Sequence, residues 1–179
     1  MTTRKEKILN TALELFVEAG YDSVSTREIA KKAGVSEGLI FRHFGNKKEL
    51  LDTLTKEAEE MTTVLLAPVI IETQARKVIR KTIQLPFRVM DHKELYLFKL
   101  QLIQQSHPEY SKPGILRPLT DKLTGAFKAL NYKEAEKEAR LLNHAIHDLL
   151  HEMAKGNLEQ STDFKKFLLK KYKVNKKSK

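Results

Sequence analysis

Polar and charged side chains of the kinds that bind DNA are concentrated between Ser25 and Leu50. Two short helical patterns in this stretch are separated by four residues, Ala-Gly-Val-Ser at 33–36. A turn this short sets two helices at a steep angle, and a second helix held in this way can stand in the major groove. Candidates for contacts to phosphate are Thr26, Ser36, His43, Lys47 and Lys48, and candidates for reading base edges are Arg27, Glu37, Leu39 and Arg42.

The same stretch holds residues that would pack such a helix-turn-helix. Ala30, Ala33 and Gly34 are small enough to let two helices approach, and glycine suits the left-handed backbone often found at a helix end. The positive N-terminal end of the next helix would help Lys47 and Lys48 to hold phosphate. The apolar positions that would fill the core of the unit are Ile8, Leu15, Phe16, Ile29, Val35, Ile40 and Phe44.

Capping residues predict where most of the helices begin. Thr3, Ser25, Asn46 and Asn131 are each followed three positions later by a glutamate, and Ser36 would cap the helix after the turn. We expect the helix opened by Asn46 to run to about position 67, and the one opened by Asn131 to about position 156. Further helices are expected at about 69–90, with a break at the proline at 86, and at 93–105, 116–130 and 162–172, with a loop at 107–114. No stretch has the pattern of a strand, so the sequence predicts an all-α fold.

The composition is that of a folded helical protein. The chain has 179 residues, of which 41% are hydrophobic and 31% are charged, enough for one large core or two small ones. The absence of cysteine excludes disulfides and thiolate metal sites. No run of about 18 apolar residues occurs, and the first residues lack the apolar core of a signal peptide. We therefore expect a cytoplasmic protein with no membrane partner.

The net charge is weak support for DNA binding. The chain has a formal net charge of +10, but residues 165–179 alone carry eight lysines and no acidic residue. The basic charge therefore belongs mainly to the tail. A solvated lysine tail explains it as well as a DNA-binding surface does.

The first third of the chain resembles the signature of the TetR (tetracycline repressor) family. The resemblance covers about residues 3–53, and the positions that carry it are Thr26, Ile29, Ala30, 33–36, Gly38, Phe41, His43, Phe44, Lys47 and Leu50. It implies a three-helix, helix-turn-helix DNA-binding domain at residues 1–47. It also implies a helical ligand-binding and dimerisation domain at 48–179, whose basic tail at 173–179 we expect to be frayed.

The resemblance further implies a function. We expect a ligand-responsive transcriptional regulator that acts as a repressor and binds a near-palindromic DNA operator as a homodimer. Its DNA binding would respond to an unknown small-molecule effector. By the same resemblance Thr26, His43 and Lys47 would hold phosphates, while Arg27, Glu37 and Leu39 would face bases. Phe41 departs from the tyrosine usual in the family, so the hydroxyl contact to phosphate is lost.

Two of the base-reading candidates have alternative roles. Arg42 is either a base contact or a solvated surface arginine. Glu37 either accepts a hydrogen bond from a cytosine amino group or disfavours binding of the helix to other DNA sequences. Residue type alone does not separate these possibilities.

Apolar stripes on the last two helices predict a dimer interface. The family resemblance pairs these helices with their counterparts across a two-fold axis, and a broad stripe suits a four-helix bundle. The alternative is that the stripe packs only on its own subunit. The interface candidates are Leu142, Ile146, Leu149, Leu150, Met153, Phe164, Phe167 and Leu168.

A pocket for the effector would lie among the middle helices. Large apolar residues there either line such a pocket or belong to an ordinary core. The candidates are Met61, Leu65, Phe87, Tyr96, Phe98, Leu102 and Phe127.

Other classes of function are less well supported by the sequence. No nucleophile elbow, glycine-rich phosphate loop or cysteine–histidine pair occurs, so we expect no catalytic residue, no cofactor and no enzyme activity. A DNA-binding protein without an effector remains an alternative. A more remote one is a helical metal-binding protein that uses His144, His147 and His151, but a di-iron bundle needs paired acid-x-x-His motifs, and Asp148-x-x-His151 is a single fragment. We expect no metal.

Overall fold

The computed structural model describes residues 3–88, 103, 116–154 and 156–175. Within these residues the chain forms eight α-helices and no β-strand, which confirms the prediction of an all-α fold. None of these helices is long and apolar enough to cross a membrane. The helices are α1 (Arg4–Ala19), α2 (Thr26–Ala33), α3 (Glu37–Phe44), α4 (Lys47–Ile70), α5 (Ala75–Arg88), α6 (Arg117–Ala129), α7 (Ala135–Ala154) and α8 (Leu158–Lys171).

The chain divides into two compact units. Unit 1 extends to Met61 and includes Ile103, and unit 2 holds the other described residues. The domain boundary predicted after residue 47 therefore falls after Met61. The reason is that Leu50, Leu51 and Leu54 of α4 are fully buried in the core of unit 1.

The core of unit 1 is built from the first four helices. Five of the seven predicted packing residues are buried in it, and they are Ile8, Phe16, Ile29, Ile40 and Phe44. Leu15 and Val35 are partly buried and pack against it. Burying these apolar side chains stabilises the unit by roughly 1.5–3 kcal/mol for each large one, so the core is what holds the three short helices in place.

The first two helices begin with reciprocal capping boxes, as the sequence predicts. The Thr3 hydroxyl accepts from the Glu6 N–H at 3.1 Å, while the Thr3 N–H donates to the Glu6 carboxylate at 2.7 Å. Ser25 and Glu28 repeat the arrangement at 3.2 and 2.7 Å. The backbone N–H of Ser25 is the main reason why the pKa of Glu28 lies below its ordinary value, and the Ser25 hydroxyl adds to the effect.

Unit 2 has a separate apolar core formed by the end of α4 and by α5 to α8. The most deeply buried side chains are Val69, Ile79, Ile83, Leu123, Phe127 and Leu142. The Phe127 ring packs at 5.0 Å from the ring of Tyr132 and at 5.2 Å from that of Tyr172.

The structure has a turn between α4 and α5, at the start of the segment 69–90 that the sequence predicted as one helix. Helix α4 continues through Pro68 to Ile70, and α5 begins at Ala75. Between them the carboxylate of Glu72 accepts hydrogen bonds from the backbone N–H groups of Thr73 and Gln74, both at 3.1 Å. These bonds end the first helix and start the second. Pro86 lies inside α5, which continues to Arg88 and is not broken there.

Asn131 does not open a helix as predicted. Its backbone is left-handed, with φ of 60°, and its N–H donates to the Lys128 carbonyl in the turn that ends α6. Helix α7 therefore begins four residues later, at Ala135. The last helix begins at Leu158, earlier than predicted.

The segment after α8 is anchored where the sequence predicted a frayed tail. Val174 is 1% exposed, its carbonyl accepts from the Arg80 side chain at 2.8 Å, and its N–H donates to the Leu169 carbonyl at 2.9 Å. Fraying from residue 173 is therefore wrong for Lys173 and Val174. Residues 176–179 lie outside the described part of the chain, as do the helix predicted at 93–105, apart from Ile103, and the loop predicted at 107–114.

Candidate nucleic-acid interface

Gly34 makes the turn between α2 and α3. Its φ of 64° and ψ of 41° are left-handed, a conformation that costs roughly 1–2 kcal/mol in residues with a Cβ atom. The Val35 N–H reaches back to the Ala30 carbonyl at 3.0 Å and closes the end of α2. Ala30 and Ala33 are buried beside the turn. The two helices are therefore joined as a helix-turn-helix.

One side of α3 faces away from the core of unit 1. Ile40 and Phe44 are buried, whereas Gly38, Phe41 and Arg42 are exposed. We call the exposed side, with Glu37 at the start of the helix, the reading face. Phe41 is 48% exposed, and it is an apolar ring where a tyrosine would offer a hydroxyl group.

The predicted base readers are not all equally available. Arg27 and Arg42 are exposed, while Leu39 is half-buried and packs against the core of unit 1. Glu37 is also half-buried, and its carboxylate accepts a hydrogen bond from the Thr26 hydroxyl at 2.6 Å. The structure thus joins a predicted base reader to a predicted phosphate contact. No signal in the sequence indicates this pair, since the two residues are eleven positions apart.

Three of the predicted phosphate contacts are exposed: Ser36, His43 and Lys48. The Ser36 side chain makes no capping hydrogen bond to α3. The ammonium of Lys48 forms an ion pair with Asp52 at 2.9 Å, but both side chains are at least half exposed. Such surface pairs contribute about 0–1 kcal/mol, so a phosphate can compete for this lysine.

Lys47 is held differently from Lys48. Its ammonium donates to the carbonyl oxygens of Tyr21, Asp22 and Val24 at 2.9, 3.3 and 3.0 Å, and it lies 4.4 Å from the Tyr21 ring centroid. A lysine has three N–H donors, so all three have carbonyl partners. Phosphate binding by Lys47 stays a prediction. Its contact with the segment between α1 and α2 was not predicted, because the acceptors are more than twenty residues away in sequence.

Asn46 fixes the start of α4 beside these lysines. Its side-chain oxygen accepts from the Glu49 N–H at 2.9 Å, and its amide donates to the Glu49 carboxylate at 2.8 Å. Gly45, with φ of 75°, makes the preceding turn, and a Cβ atom there would collide with the Glu49 side chain. The spacing of α3 and Lys48 is therefore set by a short, well-bonded turn.

The model of the N-terminal domain of bacterial regulatory proteins of the tetR family matches residues 8–54. Residues 8–54 of this chain are therefore similar to the DNA-binding domain of the tetR family. The matched segment contains α2, α3, the turn between them and the start of α4, which are the elements described above.

Two curated transcriptional regulators each match about a third of the chain. The HTH-type transcriptional regulator YvkB of Bacillus subtilis is 44% identical over 57 residues, which is 32% of this chain and 30% of that protein. The class C tetracycline repressor of Escherichia coli is 39% identical over 61 residues, which is 34% of this chain and 26% of the repressor. The matches thus span less than a third of the length of either relative.

A solved structure extends the likeness in fold to the whole chain. The transcriptional regulator from Rhodococcus sp. Rha1 superimposes with a TM-score of 0.70 over 95% of this chain and 94% of its own, at 18% identity. The likeness in fold therefore includes the helices of unit 2. At this identity the likeness concerns the fold alone.

The predicted dimer stripe on α7 and α8 belongs largely to the core of unit 2. Leu142, Ile146, Leu149, Met153 and Leu168 are each at most 6% exposed, and all but Met153 belong to the apolar core cluster of unit 2. Helical spacing identified a buried stripe correctly, but α5, α6 and α8 of the same chain cover it. Leu150 and Phe164 are half-buried, and Phe167 is exposed.

Both α7 and α8 carry large apolar side chains that are exposed; Phe167 was among the predicted interface residues, and Leu141 was not. Leu141 of α7 is 52% exposed and Phe167 of α8 is 56% exposed. The Phe167 ring stacks on that of Phe164 at 5.9 Å. We call Leu141, Phe164 and Phe167 the outer apolar face. The sequence signal that could have predicted Leu141 is the pair of adjacent leucines at 141 and 142, because neighbouring positions on a helix point in different directions.

The predicted effector-pocket residues have mixed surroundings. Phe127 is fully buried in the core of unit 2, and Leu65 and Phe87 pack against that core. Met61 belongs to unit 1, while Tyr96, Phe98 and Leu102 lie outside the described residues. A cleft in unit 2 is lined by none of the seven predicted residues, and its lining is Arg76, Leu130, Asn131, Tyr132, Tyr172 and Lys173.

The histidines of α7 do not form a metal-binding group. His144 and His147 are exposed and His151 is half-buried. Among the residues described here, no three His, Cys, Asp or Glu side chains are arranged to hold a metal ion.

Proposed function

We propose that this protein is a transcriptional regulator that binds a specific DNA sequence through α2 and α3. The observation that carries the proposal is the reading face, an exposed side of α3 held at a fixed angle to α2 by the Gly34 turn. A helix presented in this way fits the major groove, which is wide enough to admit it. The TetR-family domain at residues 8–54 supports the same conclusion.

Arg27 and Arg42 are the side chains best suited to read bases. Both are exposed, and an arginine can donate two hydrogen bonds to the O6 and N7 atoms of guanine. Lys48, Ser36 and His43 would set the register on phosphates. Thr26 and Glu37 act as a pair, and Leu39 adds an apolar contact from its exposed part.

We propose further that the regulator is a homodimer that binds a near-palindromic operator. Support comes from the outer apolar face, where Leu141 of α7 and the stacked rings of Phe164 and Phe167 of α8 lie on adjacent helices. An isologous contact of this face with itself would remove these side chains from water and relate two reading faces by a two-fold axis. Such a dimer would act in the cytoplasm, where the DNA is.

Repression and control by a small molecule are the finer parts of the proposal. The tetracycline repressor in the comparison supports repression. Helix α4 starts beside α3, with the exposed Lys48 in its first turn, and ends in unit 2, where the Lys81 ammonium donates to the Pro68 carbonyl at 3.0 Å. An effector that binds unit 2 and displaces the end of α4 would alter DNA binding, provided that it has different affinities for the two states.

Selection followed by footprinting tests the proposal. The full chain would be used to enrich duplexes from a random library, and the enriched duplex would then be footprinted. We expect two protected half-sites related by two-fold symmetry, about 10–10.5 base pairs or a multiple of this apart. A library that yields no enriched sequence would overturn the proposal, and a single protected half-site would overturn the dimer. An effector that binds but leaves operator affinity unchanged in a titration would remove the ligand switch.

A further inference from the structure

We propose that the hydroxyl of Thr26 is shared in alternation between Glu37 and a DNA phosphate. In the free protein the hydroxyl donates to the Glu37 carboxylate, and in the complex it donates to phosphate. The carboxylate must then find another donor, which is the amino group of a cytosine or adenine. Glu37 would thus allow Thr26 to bind a DNA phosphate only where the correct base is present. This inference rests on the proposed function.

The geometry of the pair carries the argument. Thr26 is the first residue of α2 and Glu37 is the first residue of α3. The distance of 2.6 Å between Oγ1 and Oε1 is that of a short, charge-assisted hydrogen bond, and both residues are half-buried. The bond therefore ties together the first turns of the two helices proposed to meet DNA.

A hydroxyl group has only one hydrogen to donate. Thr26 can accept further hydrogen bonds, but it cannot donate to Glu37 and to a phosphate oxygen at once. Carboxylate and phosphate are both negatively charged acceptors, so each also disfavours the approach of the other. Phosphate binding at Thr26 therefore requires that the bond to Glu37 be broken.

The released carboxylate then determines specificity. A charged group that loses its hydrogen bond as DNA covers it is destabilised unless a new donor is present. In the major groove the donors are the N4 amino group of cytosine and the N6 amino group of adenine. A sequence that places an acceptor opposite Glu37 leaves the carboxylate unsatisfied, and the protein binds that sequence less tightly.

A double-mutant cycle tests this coupling. The probes are a 30-base-pair duplex enriched by the wild-type protein and a scrambled duplex of the same composition. Thr26→Val removes the hydroxyl at nearly constant volume, and Glu37→Ala removes the carboxylate. Thr26→Ser keeps the hydroxyl and serves as the rescue variant. Glu14→Ala, which removes an exposed carboxylate from α1, is the charge control.

On the scrambled duplex we expect Glu37→Ala to strengthen binding about tenfold when Thr26 is present. In the Thr26→Val background only the general loss of negative charge remains, so the gain should fall to about threefold or less. Thr26→Ser should restore the larger gain. Glu14→Ala should have the same effect in all backgrounds. On the enriched duplex Glu37→Ala should weaken binding about tenfold, because a base contact is lost.

Equal effects of Glu37→Ala with and without the Thr26→Val change would overturn the coupling, yet they would leave the proposed function intact if wild-type protein still prefers the enriched duplex. Weaker binding of Glu37→Ala to the scrambled duplex would also overturn it, since Glu37 would then be orienting Thr26 toward phosphate. Wild-type protein that binds both duplexes equally would instead overturn the proposed function. If the Thr26→Val variant does not fold, as checked by its thermal melt, Thr26→Ala replaces it in the cycle.

Discussion

The ammonium of Lys47 donates a hydrogen bond to the carbonyl oxygen of Tyr21 at 2.9 Å and lies 4.4 Å from the centroid of the same residue's ring. The first residue of α4 is thereby attached to the segment that follows α1. Since Tyr21 also packs edge-on against Phe16 at 5.1 Å, the contact reaches the core of unit 1. Lys47 is therefore a structural residue of the helix-turn-helix, whatever it contributes to DNA binding.

Lys47→Met should destabilise the protein. The change keeps the length of the side chain but removes three hydrogen bonds from a half-buried ammonium, and a net loss of about 1.5–3 kcal/mol in the free energy of unfolding is expected. Lys48→Met is the matched control, because Lys48 is exposed and should change stability by no more than about 0.5 kcal/mol. Urea denaturation measures both. Equal stability of the two variants would show that the carbonyl contacts of Lys47 contribute nothing.

The difference between Lys47 and Lys48 shows what the sequence could and could not predict. The capping boxes at Thr3 and Ser25 and the glycine turn involve residues three to five positions apart, so their sequence signals are local and predict the structure correctly. The acceptors of Lys47, and the Thr26–Glu37 bond, depend on how helices pack. Adjacent lysines at the start of a helix have the same sequence signature, although one faces carbonyl oxygens and the other faces solvent.

The same dependence on helix packing explains why the apolar stripe and the start of α7 differ from the prediction. Helical periodicity predicts that Leu142 and Ile146 are buried, but it does not say whether their own chain or a second copy covers them. Asn131 is a good capping residue and also a good left-handed residue, and its role depends on the preceding turn. The packing of Tyr132 on Phe127 holds Asn131 in the turn that ends α6.

Gly38→Ala should separate stability from DNA binding. A Cβ atom at this exposed position of α3 would meet no other atom within 4 Å, so the change should raise the free energy of unfolding by about 0.5–1 kcal/mol. The added methyl group would nevertheless lie on the reading face and weaken operator binding. Gly125→Ala in α6 is the matched control, since its Cβ is equally unobstructed. Unchanged operator affinity of Gly38→Ala would argue that this face does not meet DNA.

Glu72 should make stability depend on acidic pH. Its carboxylate accepts from the Lys81 ammonium at 2.7 Å, and this bond, followed by the N–H of Gln74, lowers its pKa from 4.5 to about 2. Because the folded-state pKa is the lower one, the stabilisation is fully present above pH 4.5 and is lost as the pH falls to about 2. Glu72→Gln should remove this dependence.

Thermal melts of wild type and Glu72→Gln between pH 2 and 7 check that prediction. We expect the difference between them to be constant above about pH 5 and to shrink as the pH falls. Glu134→Gln is the control for removal of a carboxylate, since its ion pair with Lys137 is exposed and should contribute little to stability. A difference that is the same at pH 2 and pH 6 would contradict the role of the Lys81 bond.

Phe167→Asp should dissociate the proposed dimer without unfolding the chain. Phe167 is exposed on the outer apolar face, so a charge there is tolerated in the monomer but not in a self-contact. Sedimentation should show a monomer with unchanged helix content by circular dichroism. Leu142→Ala, at a fully buried position, should instead lower the free energy of unfolding by about 2–5 kcal/mol. A Phe167→Asp protein that stays dimeric would place the interface elsewhere.

Arg27→Ala and Lys48→Ala should weaken DNA binding in different ways. A base-reading arginine contributes about 1–3 kcal/mol on its operator alone, so Arg27→Ala should reduce affinity for the enriched duplex and leave the scrambled one almost unchanged. Lys48→Ala should weaken both alike and reduce the salt slope by about one unit. Equal losses on both duplexes for Arg27→Ala would remove Arg27 from the base-reading set.

The most direct test of the central claim, that α2 and α3 read a DNA sequence, is the ratio of two affinities of the wild-type protein. Titrations of the enriched and scrambled duplexes at one physiological salt concentration should give dissociation constants that differ by at least about 10³-fold. The ratio should be unchanged by deletion of residues 176–179, the end of the basic tail, because it depends on the helix-turn-helix and not on the tail. A ratio near one, or a preference that disappears with the tail, would contradict the account.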